Sequence, residues 1–76
     1  MVKVIRMYTG LGFTVEDLDD DVKFESPVAG NWYLDGMLML PNSDTYICLK
    51  SLFPGHVTFE AKVGNEFKRH TKWVEF

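Results

Sequence analysis

Cys48 and the serines at 26, 43 and 51 are the first residues to consider as nucleophiles, and His56 and His70 as the bases that would activate one near neutral pH. None of the serines stands in the glycine-flanked setting of a nucleophile elbow. Cys48 falls inside the apolar run Thr45-Tyr46-Ile47-Cys48-Leu49, where a thiol is expected to be an inert packed group. As the only cysteine it forms neither an internal disulfide nor a multi-cysteine zinc site, so a stapled secreted mini-protein is excluded. The chain is therefore expected not to be an enzyme, and no catalytic residue, cofactor or metal is assigned.

The carboxylates invite two tests. Asp17, Asp19 and Asp21 alternate as the start of a calcium loop does, but the loop's glycine position holds Val22 and its distal glutamate position holds Val28. Calcium is therefore not expected. The second test is partner attraction: Glu16, Asp17, Asp19, Asp20, Asp21 and Glu25 face a single cation, Lys23, between residues 16 and 25. Such a block draws basic surfaces and speeds association, and it can imitate the phosphates of a nucleic acid. Glu16, Asp17, Asp19, Asp20 and Asp21 are taken as the acidic part of a partner-binding site.

The opposite pole is C-terminal, where Lys62, Lys68, Arg69 and Lys72 gather with His70, Trp73 and Phe76. Cations among aromatics are how small β-barrels hold single-stranded nucleic acid, which makes these four the alternative site. A net charge of −3 and a Trp73 expected on the core face weigh against it. Gly10-Leu11-Gly12 lacks the rest of any phosphate-binding loop.

The elements that must position these residues are short strands punctuated by turns. Residues 2–8 read as a strand rich in Val, Ile and Tyr. Thr14 with Asp17 resembles a capping box, and Val15, Leu18 and Val22 share one helical face, so the spacing predicts a short acidic helix over 14–22. The rival is a hairpin that sets Phe13 and Val15 against Val22 and Phe24. Val22 to Glu25 forms a short strand stopped at Ser26-Pro27, Asp35-Gly36 suits a type I′ hairpin turn, and Pro41-Asn42-Ser43-Asp44 reads as another turn.

Val57, Phe59, Ala61 and Val63 alternate with His56, Thr58, Glu60 and Lys62, the pattern of a strand buried on one face. A three-residue loop over 64–66 would align Val57 with Trp73 and Phe59 with Thr71, and this register is favoured because a one-residue slip puts Lys72 and His70 on the apolar face. In the favoured register Arg69 faces inward opposite Ala61, and His70 stands opposite Glu60. His56, on the same face, lies ~13 Å from His70, too far for one metal.

A chain of 76 residues, 46% apolar, builds one small soluble domain with one core. Residues 2–7, 32–40 and 45–49 nevertheless carry large apolar groups on both faces. Strands of that kind belong inside a layered structure or against something external. Trp32, Tyr33, Met37 and Met39 are taken as the apolar part of the partner-binding site, aromatics and methionine being enriched at interfaces.

The fold expected is mainly β with one short helix, a small antiparallel β-barrel or strongly curved sheet of five to six strands spanning 1–76 as one domain. The function expected is a non-catalytic protein-binding module, a regulator or inhibitor that occupies a partner's surface. Its partner is a protein, with nucleic-acid-binding proteins and a second copy of the chain among the partners considered, nucleic acid itself ranked below them, and no membrane contact. Size alone also matches the accessory regulators of phages and mobile elements. Lys3 and Arg6 interrupt the first apolar stretch, unlike a signal peptide, and no run approaches the ~20 apolar residues of a membrane span, so a cytoplasmic setting is expected.

Overall fold

The computed structural model describes residues 12–76 in full and, before them, the backbone of Lys3 and Val4. The strands are β1 (Lys3–Val4), β2 (Thr14–Leu18), β3 (Asp21–Leu34), β4 (Met37–Leu49), β5 (Gly55–Val63) and β6 (Glu66–Glu75), with a 3-10 turn at Lys50–Leu52. They form one antiparallel sheet in the order β1-β6-β5-β3-β2, with β4 also paired to β3. The sheet curls into a half-barrel, so the expected strongly curved antiparallel sheet is what the chain forms. Apart from Lys3 and Val4, the strand expected over 2–8 lies outside the described residues, as does most of the Gly10-Leu11-Gly12 segment. No helix among the described residues is long and apolar enough to cross a membrane.

The organising element is β3. Its first half, Asp21 to Glu25, pairs with β2, while its second half, Asn31 to Leu34, pairs with β5. Both halves also pair with β4, so β2 and β5 share the opposite edge. The ladder shifts register between Glu25 and Gly30, and this irregular stretch holds Pro27, which has no N–H to give a ladder. Pro27 therefore bends one continuous strand instead of ending it, as the sequence reading had expected. Beyond the bend β3 approaches β5 closely: a Cβ on Gly30 would stand 2.3 Å from the Glu60 carbonyl oxygen and 2.7 Å from the Phe59 ring. Only glycine fits there.

The concave face encloses an aromatic core. Trp32 is fully buried, with ring centroids of Phe59 at 4.5 Å, Phe13 at 5.3 Å and Tyr46 at 6.2 Å. Its indole N–H is not left unpaired, because it donates to the Ser43 carbonyl at 2.8 Å. Val22, Phe24, Val57, Phe59 and Val74 are equally buried. Phe53 lies 5.8 Å from Phe24 and 5.5 Å from Phe76, carrying the aromatic packing past the 3-10 turn.

Three local readings are corrected. Residues 14–22 are a hairpin, the rival arrangement, with Val15 opposite Phe24 and Asp17 opposite Val22. The short helix fails because Asp17 Oδ1 accepts the Asp19 N–H at 3.1 Å and Asp19 takes a left-handed φ of 66°, which together close a turn before a second helical turn can form. Extended pairing also lets Val22 and Phe24 both reach the core. Second, Pro41-Asn42-Ser43-Asp44 is not a turn: β4 runs through it, with Asn42 at φ 54° absorbing an irregularity in the ladder.

The third correction concerns the C-terminal hairpin, which turns on two residues, with Val63 opposite Glu66, Phe59 opposite His70 and Val57 opposite Lys72. Gly64 at φ 64° supplies the positive φ that such a turn needs at its first position. The register puts Val74, fully buried, opposite Gly55, and turns Trp73 outward and half-buried beside His56. Arg69 accordingly faces outward opposite Glu60, and His70 does not face Glu60. The inward lysine is accommodated: the Lys72 ammonium donates to the Phe13 carbonyl and sits 4.4 Å from the Phe13 ring centroid, linking β6 to the segment entering β2. The expected Asp35-Gly36 turn is present, both residues having positive φ (49° and 85°) as type I′ requires.

The tight crossing at Gly30 gives a direct test. Gly30→Ala is expected to lower unfolding free energy by about 1–3 kcal/mol, because the displaced atoms are backbone and an enclosed ring. Urea denaturation measures it, and a midpoint equal to that of the unsubstituted chain would show that β3 does not cross β5 so closely.

Candidate docking surface

The core fills the concave side, and the bend in β3 divides the convex side into two faces. The first lies on β2, the first half of β3 and the second half of β4. Val22, Phe24 and Tyr46 point into the core, so alternation sends Asp21, Lys23, Glu25, Thr45, Ile47 and Leu49 outward. The pairing forms three rows: Leu18, Asp21 and Leu49; Glu16, Lys23 and Ile47; Thr14, Glu25 and Thr45. Lys23 reaches Glu16 at 3.4 Å and Glu25 at 3.9 Å. Leu18, Ile47 and Leu49 remain 39%, 53% and 54% exposed. Asp17 leaves this face, its carboxylate 2.5 Å from the Lys50 ammonium, and that hydrogen bond to Lys50 is the largest cause holding its carboxyl below the ordinary value.

The second face lies on the second half of β3, β5 and β6, and centres on Glu60. Its carboxylate accepts from Asn31 Nδ2 at 3.1 Å, from the Tyr33 hydroxyl at 2.9 Å and from Arg69 Nε at 2.8 Å, while Asn31 Oδ1 accepts the Asn42 N–H at 3.0 Å. The Arg69 guanidinium lies 5.6 Å from the Tyr33 ring centroid. The hydrogen bonds from Asn31, then Arg69 and Tyr33, hold the Glu60 carboxyl below its ordinary 4.5, while the bond to Glu60 and burial push the Tyr33 hydroxyl up. Alongside, Thr58 and Thr71 share a hydrogen bond of 2.8 Å, and His56 meets Trp73 edge to face at 4.9 Å. His56 Nδ1 also lies 4.0 Å from an Asp35 oxygen, at the β3 to β4 turn.

The sequence-predicted site residues fall in different places. Glu16 and Asp21 share the first face, with Asp19 and Asp20 exposed at the turn between β2 and β3. Met37 and Met39 stand at the β3 to β4 tip, 66% and 40% exposed, with Leu38 at 50% paired to the half-buried Tyr33. Trp32 is withdrawn from the site: as the fully buried centre of the core it offers no contact area to a partner. Lys72 is withdrawn from the basic set for the same reason, being buried with its ammonium engaged inside. Lys68 approaches Glu66 at 3.9 Å and Arg69 is bound to Glu60, leaving the hairpin less basic in effect than its composition.

Leu18, Ile47 and Leu49 were missed. Ile47 and Leu49 stood in a segment already marked as apolar on both faces, and choosing its inner face through Tyr46 would have found them. Leu18 was assigned to the buried side of a helix. Burial pushes the Cys48 thiol up, the Tyr46 hydroxyl offsets part of that rise, and the Asp21 carboxylate adds to it, all of which leaves little thiolate.

Comparison with family models, with curated proteins and with solved structures finds no match to this chain.

The Glu60 network has a testable pH signature. A carboxyl whose value is depressed by folding stabilises the fold above its ordinary 4.5, and that contribution is lost as pH falls from there through the depressed value. Glu60→Gln is therefore expected to cost about 1–3 kcal/mol near neutral pH. Its deficit should shrink as pH falls below 4.5 and through the depressed value, beneath which both chains are uncharged at this position. Urea unfolding at stepped pH reads both, and a deficit that stays constant with pH would remove the charge-based role.

Proposed function

We propose that this protein is a small non-catalytic protein-binding module, a regulator or inhibitor that works by occupying a surface of its partner. The observation that carries this reading is the set of half-exposed aliphatic side chains, Leu18, Ile47 and Leu49, on a sheet face they share with the carboxylates Glu16, Asp21 and Glu25. Large apolar groups held in water on a rigid sheet stabilise a complex when covered, and the charges around them steer approach. Met37, Leu38, Met39 and Tyr33 at the neighbouring tip extend the apolar surface. On this reading the carboxylates meet a basic partner surface as phosphates would, so a nucleic-acid-binding protein is the natural target. The reading also places the module in the cytoplasm, in keeping with a lone thiol and no disulfide framework, and among small accessory regulators such as phages and mobile elements carry.

The second reading, single-strand binding by the β5 and β6 hairpin, has one observation in its favour: Trp73 and His56 stand on the convex face, where a base can stack. Capture from nuclease-treated lysate separates these readings. A single enriched protein is expected, and reversing Asp19, Asp20 and Asp21 to Lys should slow association by about tenfold at low salt while changing dissociation little. Recovery of nucleic acid alone, released steeply by salt, would favour the hairpin. Recovery only of the chain itself would favour self-assembly.

A further inference from the structure

The chemistry of the first convex face is specific enough to name what covers it. Leu18 and Leu49 flank Asp21 across the ladder, and Ile47 stands one row away beside Lys23. The charges sharing these rows are Glu16, Asp21 and Glu25, with Lys23 held between two of them, and Asp19 and Asp20 lie exposed at the end of the same hairpin. The face thus carries its charges Asp21, Lys23 and Glu25 along the central strand β3, with Leu18 and Glu16 on one flank and Leu49 and Ile47 on the other. A second copy of this chain would bring the same carboxylates against themselves, and a nucleic acid would bring phosphates.

Both are disfavoured by charge, while a protein segment that presents Lys or Arg toward Glu16, Asp21 and Glu25 and aliphatic side chains toward Leu18, Ile47 and Leu49 satisfies both parts of the face. We propose that the face built from Leu18, Ile47 and Leu49 with Glu16, Asp21 and Glu25 docks a basic amphipathic segment of a partner protein. This rests on the protein-binding reading and narrows it to one face and one partner chemistry.

The test uses the full chain and labelled peptides in fluorescence anisotropy: one of Leu and Lys in amphipathic order, its counterpart with Glu for Lys, and a Lys homopeptide. The first is expected to bind about tenfold or more tightly than either of the others. Glu16→Lys with Glu25→Lys, and separately Ile47→Ser with Leu49→Ser, should each weaken it about tenfold, while Phe67→Ser, at an exposed residue of β6, leaves it unchanged. These positions are exposed, and two independent pairs guard against a folding artefact in either. Equal binding of the Lys homopeptide would reduce the face to unspecific charge attraction and overturn the proposal. Loss of binding only in a further variant, Met37→Ser with Met39→Ser, would move docking to the β3 to β4 tip, overturning this placement but leaving the protein-binding reading intact. No binding of the Leu and Lys peptide, alongside capture of a protein from lysate, would have the same consequence.

Discussion

The close approach of β3 to β5 at Gly30 is the constraint from which the rest of the molecule follows. One strand of 14 residues lends the same edge first to β2 and then to β5, which is geometrically possible only if it bends between the two. Pro27 removes a donor from the stretch where the ladder is broken, and Gly30 removes the side chain that would collide with the Glu60 carbonyl and the Phe59 ring. With the bend in place, Phe24 before it and Trp32 after it converge on one core, their centroids 6.3 Å apart. Without it, a flat sheet would leave the two on a face open to water, and the described residues hold no second layer to cover them.

Curling also fixes what happens to polar groups. On the concave side the cost of burying Lys72 is offset locally, by the Phe13 carbonyl as acceptor and the Phe13 ring beneath the ammonium. That contact bridges the opening between β6 and the entry to β2, so an apparently misplaced cation fastens the half-barrel. On the convex side Glu60 is treated in the opposite way. It stays near the surface but is enclosed by Asn31, Tyr33 and Arg69, whose hydrogen bonds knit β3, β5 and β6 where they run side by side.

The sequence was informative where local chemistry decides and misleading where tertiary packing does. Asp35-Gly36 has one good use, and it was put to that use; the alternation of Val57, Phe59 and Ala61 likewise fixed the inner face of β5. For residues 14–22 two periodicities were compatible with the same apolar residues. The choice lay with Phe24, outside that window, which needs extended pairing to reach the core beside Val22. The C-terminal register failed for a related reason. Pairing Val57 with Trp73 maximises apolar contact, but the two-residue turn at Gly64 and the burial of Val74 outweigh it, and the partner that makes inward Lys72 acceptable is 59 residues away in the chain. Of the candidate site, the carboxylates were legible as a block, and their arrangement on a face was not, because a helix and a hairpin distribute them differently.

That difference bears on how an acidic block acts. On a helix, carboxylates at 16, 17, 19, 20 and 21 would radiate around the axis, giving a diffuse field with no fixed pattern of contact. On the hairpin, alternation sorts them: Glu16 and Asp21 go outward among Leu18, Ile47 and Leu49, while Asp17 is drawn to Lys50 and leaves the face. Sorting also consumes the nearest cation, since Lys23 is held by Glu16 and Glu25. Of the seven acids and three bases in residues 1–40, Glu16, Asp21 and Glu25 with Lys23 thereby share one sheet face, flanked by Leu18, Ile47 and Leu49. Long-range attraction falls off within about 8–10 Å in physiological salt, so on the proposed reading it would bring a basic partner near without holding it. Retention would then depend on the aliphatic side chains, whose fixed spacing on a sheet would let a charged block discriminate among basic partners instead of binding all of them.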